Sequence, residues 1–407
     1  MARGQAAEAR TARRGEPDYV LLSAALMLVV LGLIAVFSSS YAVGVVNHGD
    51  ANYFIKRQAI WAAIGLAGLV VAMSINYRLL MRLSPLVMLA AIAGLAAVFV
   101  SSLSVSAEGS ARWISVGPIT AQPSEFAKLA VIIYLAAWLA AKGPTVRNFA
   151  LGVAPYVGMV GLVTALVLLE PDLGTATTIA LITGTLLFVS GARLLHIAAL
   201  VASATVFTGA LVIVGGYGAA RILSFTSAES DPEGIGFQTL QMLQALGSGG
   251  LTGLGLGVSR QKFFYVPASH TDGVLAIIGE ELGYIGVVVV LALFALLLWR
   301  GLRVMQRAAD PFGSLLAAGV LAWLAFQMLI NVGGITRSIP LTGIPLPLVS
   351  YGGSSLMMTM IAIGLLLSVS RYAHLEDPEL EPPTRGVLRA PGLRRALLGR
   401  ATARAAR

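Results

Sequence analysis

The 407-residue chain has no cysteine and few charged residues. Without cysteine it has no disulfide framework, no thiolate nucleophile and no cysteine-ligated metal site. Charged residues make up 12% of the sequence, whereas roughly 25% is typical of a soluble domain. The alternating ten-residue segments that predict a membrane β-barrel are also absent. The low fraction of charged residues excludes a water-soluble globular enzyme.

Apolar residues are abundant instead, at 57% of the sequence with a mean hydropathy of +0.84. Several apolar runs approach 20 residues, which is enough to cross a hydrocarbon core of roughly 30 Å. The sequence therefore predicts an all-α polytopic membrane protein with about ten transmembrane helices. The spans are expected near residues 18–40, 53–75, 85–103, 123–141, 148–169, 173–191, 195–215, 272–299, 312–333 and 351–370.

The predicted membrane domain, 18–371, lies between two basic segments. The leader 1–17 precedes a full-length span without a small-residue cleavage site, so it predicts a retained anchor. The tail 372–407 has no helix-length apolar face and predicts a disordered segment. The longest connection, about 216–271, contains Gly-rich turn segments and is too long for a simple link between helices.

The net charge of +9 permits two interpretations, nucleic-acid binding or retention of Lys and Arg on the cytoplasmic side. With a cytoplasmic N-terminus, most of the 28 Lys and Arg residues fall in the short inner segments and the tail. This pattern favours a membrane protein with both termini cytoplasmic and gives no evidence for nucleic acid. The exceptions, in spans or outside, are Lys56, Arg57, Arg112, Lys128, Arg221, Arg260, Lys262 and Arg337.

Two polar clusters lie where predicted spans begin, at 122–130 and 170–178. Glu125 and Lys128 share one helix face, so they form either an ion pair that fixes the helix entry or a charged wall facing an outward cavity. Arg112, in the preceding loop, suits either alternative. Asp172 is expected to cap the helix that follows it. Capping does not explain Glu170.

A third cluster occupies 255–283. Arg260 and Lys262 suit a lipid phosphate at the outer surface. Asp272 is either the last position of a capping box that begins at Ser269 or a general base at the mouth of an outward cavity. At 100° per residue, Glu280 is about 80° from the Asp272 face of the helix. Glu280 is thus expected to share that cavity. Glu281 lies on the opposite face and is expected to need a partner on another helix.

The fourth cluster, 331–355, is rich in proline and glycine and predicts a non-helical outer segment that re-enters the membrane. Such backbone must be buried in protein or line a watery cavity. Ser350 and Ser354 suit either sugar or phosphate binding or close helix packing. All four clusters fall on the outer side of the predicted topology, so together they indicate a polar cavity that opens outward.

Five ordered motifs then show a family resemblance: QPSEFAKLA, EPDLGTA, GSGGLTGLGLGVSRQKFFYVP, HTD followed by GEELG, and PLVSYGGSS. In this order they resemble the SEDS family (shape, elongation, division and sporulation). The residues of these motifs resemble the FtsW division branch more than the RodA elongation branch. Family sequences usually have Pro-Glu before the HTD motif and an aromatic residue after it, where this chain has Pro267-Ala268 and Gly273.

The resemblance implies a ten-helix peptidoglycan glycosyltransferase of the bacterial cytoplasmic membrane that polymerises lipid II at the outer face. It implies that Asp272 is the essential aspartate, with His270 and Thr271 beside it, and that Glu125 and Lys128 are the charged positions of the fourth span. It also implies a class B penicillin-binding protein as the transpeptidase partner, together with other division proteins. The alternatives are a lipid II flippase and a non-enzymatic division scaffold.

When lipid II is polymerised, its undecaprenyl diphosphate group departs from the donor sugar. This group needs positive charge where its negative charge develops. The candidate residues share a basic side chain on the predicted outer side, and they are Lys128, Lys262, Arg112, Arg221 and Arg260. Lys128 and Lys262 are the first choices. A divalent cation is an alternative source of that charge, although the sequence has no metal-ligand spacing.

Overall fold

The computed structural model describes residues 15–100, 104–107, 110–116, 119–215, 225–232, 234, 236–263 and 265–372. Nearly all of the predicted leader and tail lies outside these residues, as does Arg221. The helices are α1 Tyr19–His48, α2 Tyr53–Ser74, α3 Arg78–Ala97, α4 Pro123–Lys142, α5 Ala154–Leu169, α6 Leu173–Val189, α7 Leu194–Gly215, α8 Phe237–Ser248, α9 Val274–Gln306, α10 Pro311–Ile335 and α11 Gly353–Tyr372. Shorter turns of helix are a 3₁₀ turn at Gly143–Arg147, a π-turn at Phe149–Val153 and a 3₁₀ turn at Ala228–Ser230.

The predicted membrane spans agree with these helices. In the described part of the chain, eight helices are long and apolar enough to cross a membrane, and α6 and the described part of α7 are shorter apolar helices. α8 is a further helix within the segment expected to be an outer loop. Each of the ten expected spans overlaps one helix, and the chain is a multi-pass membrane protein.

The third span begins earlier than predicted, at Arg78 instead of near residue 85. Pro85 lies within α3 and not at its start. The first turn tolerates a cation because Arg78 Nε lies 2.8 Å from Asp310 Oδ2, and Tyr77 donates to the same oxygen at 2.6 Å. This pairing depends on a residue far along the chain, so the local apolar pattern did not predict it.

A small antiparallel sheet precedes α4 and was not predicted. Its strands are β1 Ser104–Ala107, β2 Ser110–Val116 and β3 Ile119–Ala121, in the order β1-β2-β3. Ser104 pairs with Ile114, and Ile114 pairs with Ala121 on the other side. The strands are too short for their alternation to be distinguished from a loop in the sequence. The sheet places Arg112 of β2 near the start of α6.

Two ends of the helix bundle differ in character. At one end Gly15 N donates to Arg371 O at 2.9 Å, so the two described ends of the chain lie together. At the other end α4, α6, α9 and α11 all begin, and we call this the site end. The contacts between the polar clusters described below all lie at the site end. A chain with an even number of membrane spans has both termini on the same side, which agrees with this contact.

The part of the non-helical segment between α10 and α11 that precedes α11, residues 346–350, is buried in protein, which is one of the two environments predicted for it. Val349 has no exposed surface and Leu348 is 3% exposed. The segment crosses α1 at Gly32, where an added Cβ would lie 2.6 Å from the Leu348 carbonyl oxygen. Only glycine allows this close approach of the two backbones.

α9 is interrupted near its first third, at Gly283, where φ is 69° and ψ is −166°. The Gly-rich segment after α8 supplies backbone partners to this break. Leu254 N donates to Glu280 O at 2.9 Å, and Tyr284 N donates to Gly250 O at 2.9 Å. These bonds satisfy backbone groups that a helix break leaves open inside a membrane span. They also fix the loop 249–262 against α9.

Candidate active site

Asp272 lies two residues before α9, and only 5% of its surface is exposed. Thr271 Oγ1 donates to its Oδ1 at 3.2 Å, and Gln238 Nε2 of α8 lies 3.4 Å from its Oδ2. Asn331 Nδ2 of α10 donates to the Asp272 carbonyl oxygen at 2.9 Å. Side chains of α8 and the preceding loop therefore contact this carboxylate, and a side chain of α10 holds its backbone at the site end.

The capping-box alternative for Ser269 and Asp272 is wrong. α9 begins at Val274 with Gly273 at the N-cap position and no side-chain capping bond. Ser269 Oγ instead donates to Ser39 O of α1 at 3.2 Å. A backbone turn closes this helix entry, since Gly273 N donates to Ala268 O at 3.2 Å. The Asp272 carboxylate is thus not used as a helix cap.

Glu125 and Lys128 form a buried ion pair at the start of α4. Lys128 Nζ lies 2.9 Å from Glu125 Oε1, and the two side chains are 2% and 5% exposed. Lys128 Nζ also donates to Gln327 Oε1 of α10 at 3.0 Å and lies 4.8 Å from the Trp323 ring centroid. An ammonium has three donors, and these contacts use two of them. The pair therefore fixes the helix entry and leaves one donor on Lys128 for a further acceptor.

One face of α10 joins the two charged clusters, and it was not among the predicted site residues. Trp323, Gln327 and Asn331 are spaced four residues apart, so they lie on one helix face. Gln327 binds Lys128 through its oxygen and Pro345 O through its nitrogen, at 3.0 and 2.9 Å. Asn331 binds the carbonyls of Asp272 and Ile344, each at 2.9 Å. Two amides four residues apart in an apolar span were the available signal.

The helical angle predicts that Glu280 shares a cavity with Asp272. In the structure, Glu280 instead contacts the loop that follows α8. Its carboxylate accepts from Ser259 Oγ at 2.5 Å, Arg260 N at 3.0 Å and Gln261 N at 3.3 Å. The Gly-rich loop packs against this face of α9, which the helical angle alone does not reveal. Glu280 thus anchors the loop, and its substrate-binding role stays a prediction.

Lys262 is engaged by the neighbouring carboxylate, Glu281. Its Nζ lies 2.9 Å from Glu281 Oε1, 2.7 Å from Gly257 O and 3.2 Å from Ser38 Oγ. Ser38 of α1 also donates to Glu281 at 2.6 Å, which supplies the partner on another helix that this carboxylate was expected to need. All three donors of the ammonium are used. Lys262 is therefore saturated by protein acceptors.

Arg112 and Asp172 fix the entry of α6. Arg112 Nε donates to Glu170 O at 3.0 Å, and its Nη2 donates to Pro171 O at 2.5 Å. Asp172 caps α6 by accepting from Thr175 N at 2.9 Å, which confirms the capping prediction. Asp172 also accepts from Gln122 Nε2 at 3.2 Å, joining this entry to that of α4.

Glu170 is a buried carboxyl group in the turn between α5 and α6, with 1% of its surface exposed. Neither of its carboxylate oxygens has a hydrogen-bond donor among the described residues. Burial raises the pKa of Glu170 to about 8; the Asp172 charge adds to this shift and Arg112 opposes it. Glu170 is thus protonated near neutral pH, which explains how a buried carboxyl group without a hydrogen-bond donor is tolerated there.

The fourth cluster packs against α2 and α4. Ser350 Oγ accepts from Leu346 N at 2.8 Å, and Ser354 Oγ accepts from Gln122 N at 3.3 Å. Gln58 of α2 donates to Ser350 O at 3.1 Å and accepts from Gly352 N at 3.2 Å. Both serine side chains are buried. These contacts are those of a packed turn, and the sugar- or phosphate-binding alternative stays a prediction.

His270 and Arg260 complete the predicted set. The His270 ring lies 4.4 Å from the Phe54 ring and 5.4 Å from the Tyr351 ring, and its carbonyl accepts from Tyr351 N at 2.8 Å. Burial lowers the pKa of His270 to about 4, so the imidazole is neutral. Arg260 is exposed on the loop. Within the described ranges, no group of three or more His, Cys, Asp or Glu side chains is placed to hold a metal ion.

These features define a polytopic helical membrane protein with buried carboxylates and cations gathered at one end of the bundle. The family described as Cell cycle protein, which comprises FtsW, RodA and SpoVE, matches residues 19–375. The chain belongs to this family, the SEDS family. The sequence resemblance is thereby confirmed.

Relatives match over nearly their whole length. Stage V sporulation protein E of Bacillus subtilis is 41% identical, covering 89% of this chain and 99% of the relative. The probable peptidoglycan glycosyltransferase FtsW of Geobacter metallireducens is 40% identical, covering 87% of this chain and 94% of the relative.

Solved structures also match. A chain from a peptidoglycan synthase complex, solved to show how polymerization and crosslinking are coordinated, has a TM-score of 0.72 at 29% identity, covering 87% of this chain and 98% of that chain. The rod shape determining protein RodA of Thermus thermophilus has a TM-score of 0.65 at 28% identity, covering 88% and 98%. The helical membrane fold predicted from the sequence is therefore confirmed.

Proposed function

We propose that this chain is a peptidoglycan glycosyltransferase that polymerises lipid II into glycan strands during cell division. The relatives named FtsW and the peptidoglycan synthase complex support this activity. The observation that carries the assignment to a site is the position of Asp272. Its carboxylate is buried and is not a helix cap, and its backbone carbonyl is joined through Asn331 and Gln327 of α10 to the buried Lys128–Glu125 pair.

Asp272 acts as the general base in this proposal. Its carboxylate takes the proton of the acceptor sugar hydroxyl as that oxygen forms a bond to the anomeric carbon of the donor. The bond from that carbon to the diphosphate breaks, and its electron pair leaves with the undecaprenyl diphosphate. General-base assistance of this kind contributes about 10²–10⁴-fold. Gln238 and Thr271 orient the carboxylate, since both lie within hydrogen-bonding range of it.

The cations divide into two groups by their remaining donors. Lys128 keeps one donor and, in a low-dielectric position, stabilises negative charge that develops on the leaving diphosphate. Lys262 keeps none, so its role is to hold the loop 249–262 on α9 and α1. Arg260, exposed on that loop, is the loop cation that can meet a phosphate. Arg112 uses two donors on the backbone before α6 and acts there in positioning.

The expected partner is a class B penicillin-binding protein that crosslinks the strands this chain makes. The support is that a matched chain belongs to a synthase complex that coordinates polymerization with crosslinking. The site end faces the outside of the cytoplasmic membrane, and both termini are cytoplasmic. This orientation follows from the distribution of Lys and Arg along the sequence.

The test is polymerisation of purified lipid II by the full chain in detergent, with and without a co-purified transpeptidase. The wild type yields glycan polymer, and Asp272→Asn yields none while its melting temperature is retained. A matched control is Asp50→Asn, which removes a carboxylate from the exposed Lys56–Asp50 pair. Full polymerisation by Asp272→Asn removes Asp272 from the mechanism. Transbilayer movement of lipid II without polymer supports the flippase instead.

A further inference from the structure

Arg57 has no carboxylate partner among the described residues, whereas four other basic residues at the site end each have one. The ion pairs there are Lys56–Asp50, Lys128–Glu125, Lys262–Glu281 and Arg337–Glu229. Arg57 lies in the first turns of α2, within a predicted membrane span, and is half-buried. A cation in a span is costly unless it is paired or hydrated. Its position therefore calls for an anionic or polar ligand.

The backbone around Arg57 is fixed to the wall that carries Asp272. Gln58, the next residue, holds both sides of Tyr351 through Ser350 O and Gly352 N. Tyr351 N in turn donates to His270 O at 2.8 Å, two residues before Asp272. α2 thus places Arg57 beside the motif that supplies the proposed general base.

Aromatic side chains complete the surroundings of Arg57. Its Nη1 donates to the Tyr53 hydroxyl at 2.6 Å, and its Cζ lies 5.5 Å from the Tyr53 ring centroid. The Phe54 ring contacts those of His270 and Tyr351 at 4.4 and 5.2 Å. Burial raises the pKa of Tyr351, and the positive charge of Arg57 opposes that shift. The Tyr53 hydroxyl and ring thus hold the guanidinium next to this aromatic cluster.

The remaining donors of Arg57 suit a phosphate. A guanidinium carries five N–H donors in a planar fork that matches phosphate oxygens in pairs. One of them is used by Tyr53. The hydroxyls of Tyr53 and Tyr351 add two groups that can donate to the same anion. By contrast, Lys262 has no donor left and Lys128 has one.

We propose that Arg57, with Tyr53 and Tyr351, forms an anion subsite on the α2 side of Asp272 that takes the phosphate groups of a diphosphate-linked lipid. The choice of lipid rests on the proposed function. In the polymerisation reaction, this subsite is a binding element for the undecaprenyl diphosphate portion of a substrate. The subsite adds Arg57 of α2 to the phosphate contacts proposed for Lys128 of α4 and Arg260 of the loop 249–262.

The test is binding of undecaprenyl diphosphate to the full chain in phosphatidylcholine nanodiscs. Arg57→Ala weakens binding about ten- to hundredfold, which corresponds to losing a charged hydrogen-bonding group. Arg57→Lys retains part of the affinity. Lys56→Ala is the matched control because it removes the same charge one residue away, from an exposed pair. Its affinity stays within about twofold of the wild type, since exposed pairs contribute little.

Two further probes separate the sources of affinity. Undecaprenol lacks phosphate, and its binding is unchanged in Arg57→Ala. Phosphatidylglycerol competes weakly and shows no comparable dependence on Arg57. The inference is overturned if Arg57→Ala binds undecaprenyl diphosphate as the wild type does, if undecaprenol binding falls equally, or if phosphatidylglycerol depends equally on Arg57.

Polymerisation kinetics distinguish this inference from the function on which it rests. If the wild type polymerises lipid II and Arg57→Ala has unchanged KM and unchanged binding, the subsite is wrong and the function stands. If the wild type makes no polymer while binding still depends on Arg57, the function is wrong and the anion subsite stands. A raised KM in Arg57→Ala with Lys56→Ala unchanged supports both.

Discussion

The ammonium of Lys262 lies 2.9 Å from the carboxylate of Glu281, and both side chains are under 5% exposed. This pair joins the Gly-rich loop to α9, and Ser38 extends it to α1. A basic residue that the sequence presents as a phosphate ligand is thus part of the scaffold. The number of hydrogen-bond donors already used by protein acceptors separates the fixed charges of the site from those available to a substrate.

Lys262→Ala leaves the Glu281 charge buried and unpaired, so it is expected to destabilise the chain by about 3–5 kcal/mol. Replacing both residues with Met removes both charges and recovers most of that loss. Thermal unfolding in detergent measures both variants. The exposed pair gives the control, because Lys56→Ala changes stability by at most about 1 kcal/mol. A Lys262→Ala variant as stable as the wild type contradicts the scaffold role.

Asn331→Leu removes the amide that holds the carbonyls of Asp272 and Ile344. Each buried carbonyl left unpaired costs about 1–3 kcal/mol. We expect kcat for lipid II polymerisation to fall about tenfold or more, because small misplacements of a reacting group are costly. KM changes little.

Ser368→Ala is the control for that variant. It removes a hydroxyl that donates to Ile75 O at 2.6 Å, at the opposite end of the bundle. Its melting temperature falls while kcat is retained. Equal losses of kcat in the two variants mean that Asn331 acts only through stability and does not position Asp272.

Glu170 gives the chain a pH-dependent stability. Its folded pKa is about 8 and its ordinary value is 4.5, so the folded state binds more protons than the unfolded state between these values. Stability therefore falls as pH rises from about 4.5 to about 8 and levels off above. Glu170→Gln abolishes this contribution. Melting temperatures of the two proteins from pH 5 to 9 test it, and parallel curves are the contrary result.

Gly253→Ala tests the contact between the loop and the break in α9. Gly253 has a φ of 81°, and an added Cβ would lie 2.1 Å from Glu281 O. The strain and the clash lower stability by about 1–3 kcal/mol or more. Gly247→Ala in α8 is the control, since nothing lies within 4 Å of its added Cβ. Thermal unfolding that ranks the two variants alike argues against this packing.

The sequence predicted the helix entries at the site end better than it predicted the partners of the polar side chains. The entry of α4 at Pro123 and the cap at Asp172 follow from residue types within one turn, and both are as predicted. The partner of Glu280 was not predicted, because it depends on how a distant loop packs. The short sheet that carries Arg112 was also missed, since strands of three to seven residues leave little periodic signal.

Gln327 and Asn331 show the same division. Two amides at a spacing of four in an apolar helix mark a polar face. Their spacing does not reveal which charged residues that face meets. The structure joins Gln327 to Lys128, which is 199 residues away, and Asn331 to Asp272, which is 59 residues away.

Composition and hydropathy alone determined that this is a polytopic helical membrane protein, because the transfer of an apolar run into a bilayer depends on local sequence. Five motifs alone determined its family. The tertiary structure decided which cations are already paired and which are free. Pairing requires atoms within about 4 Å of each other, and only the folded chain brings Lys262 to Glu281 and leaves Arg57 beside Tyr351 without a carboxylate among the described residues.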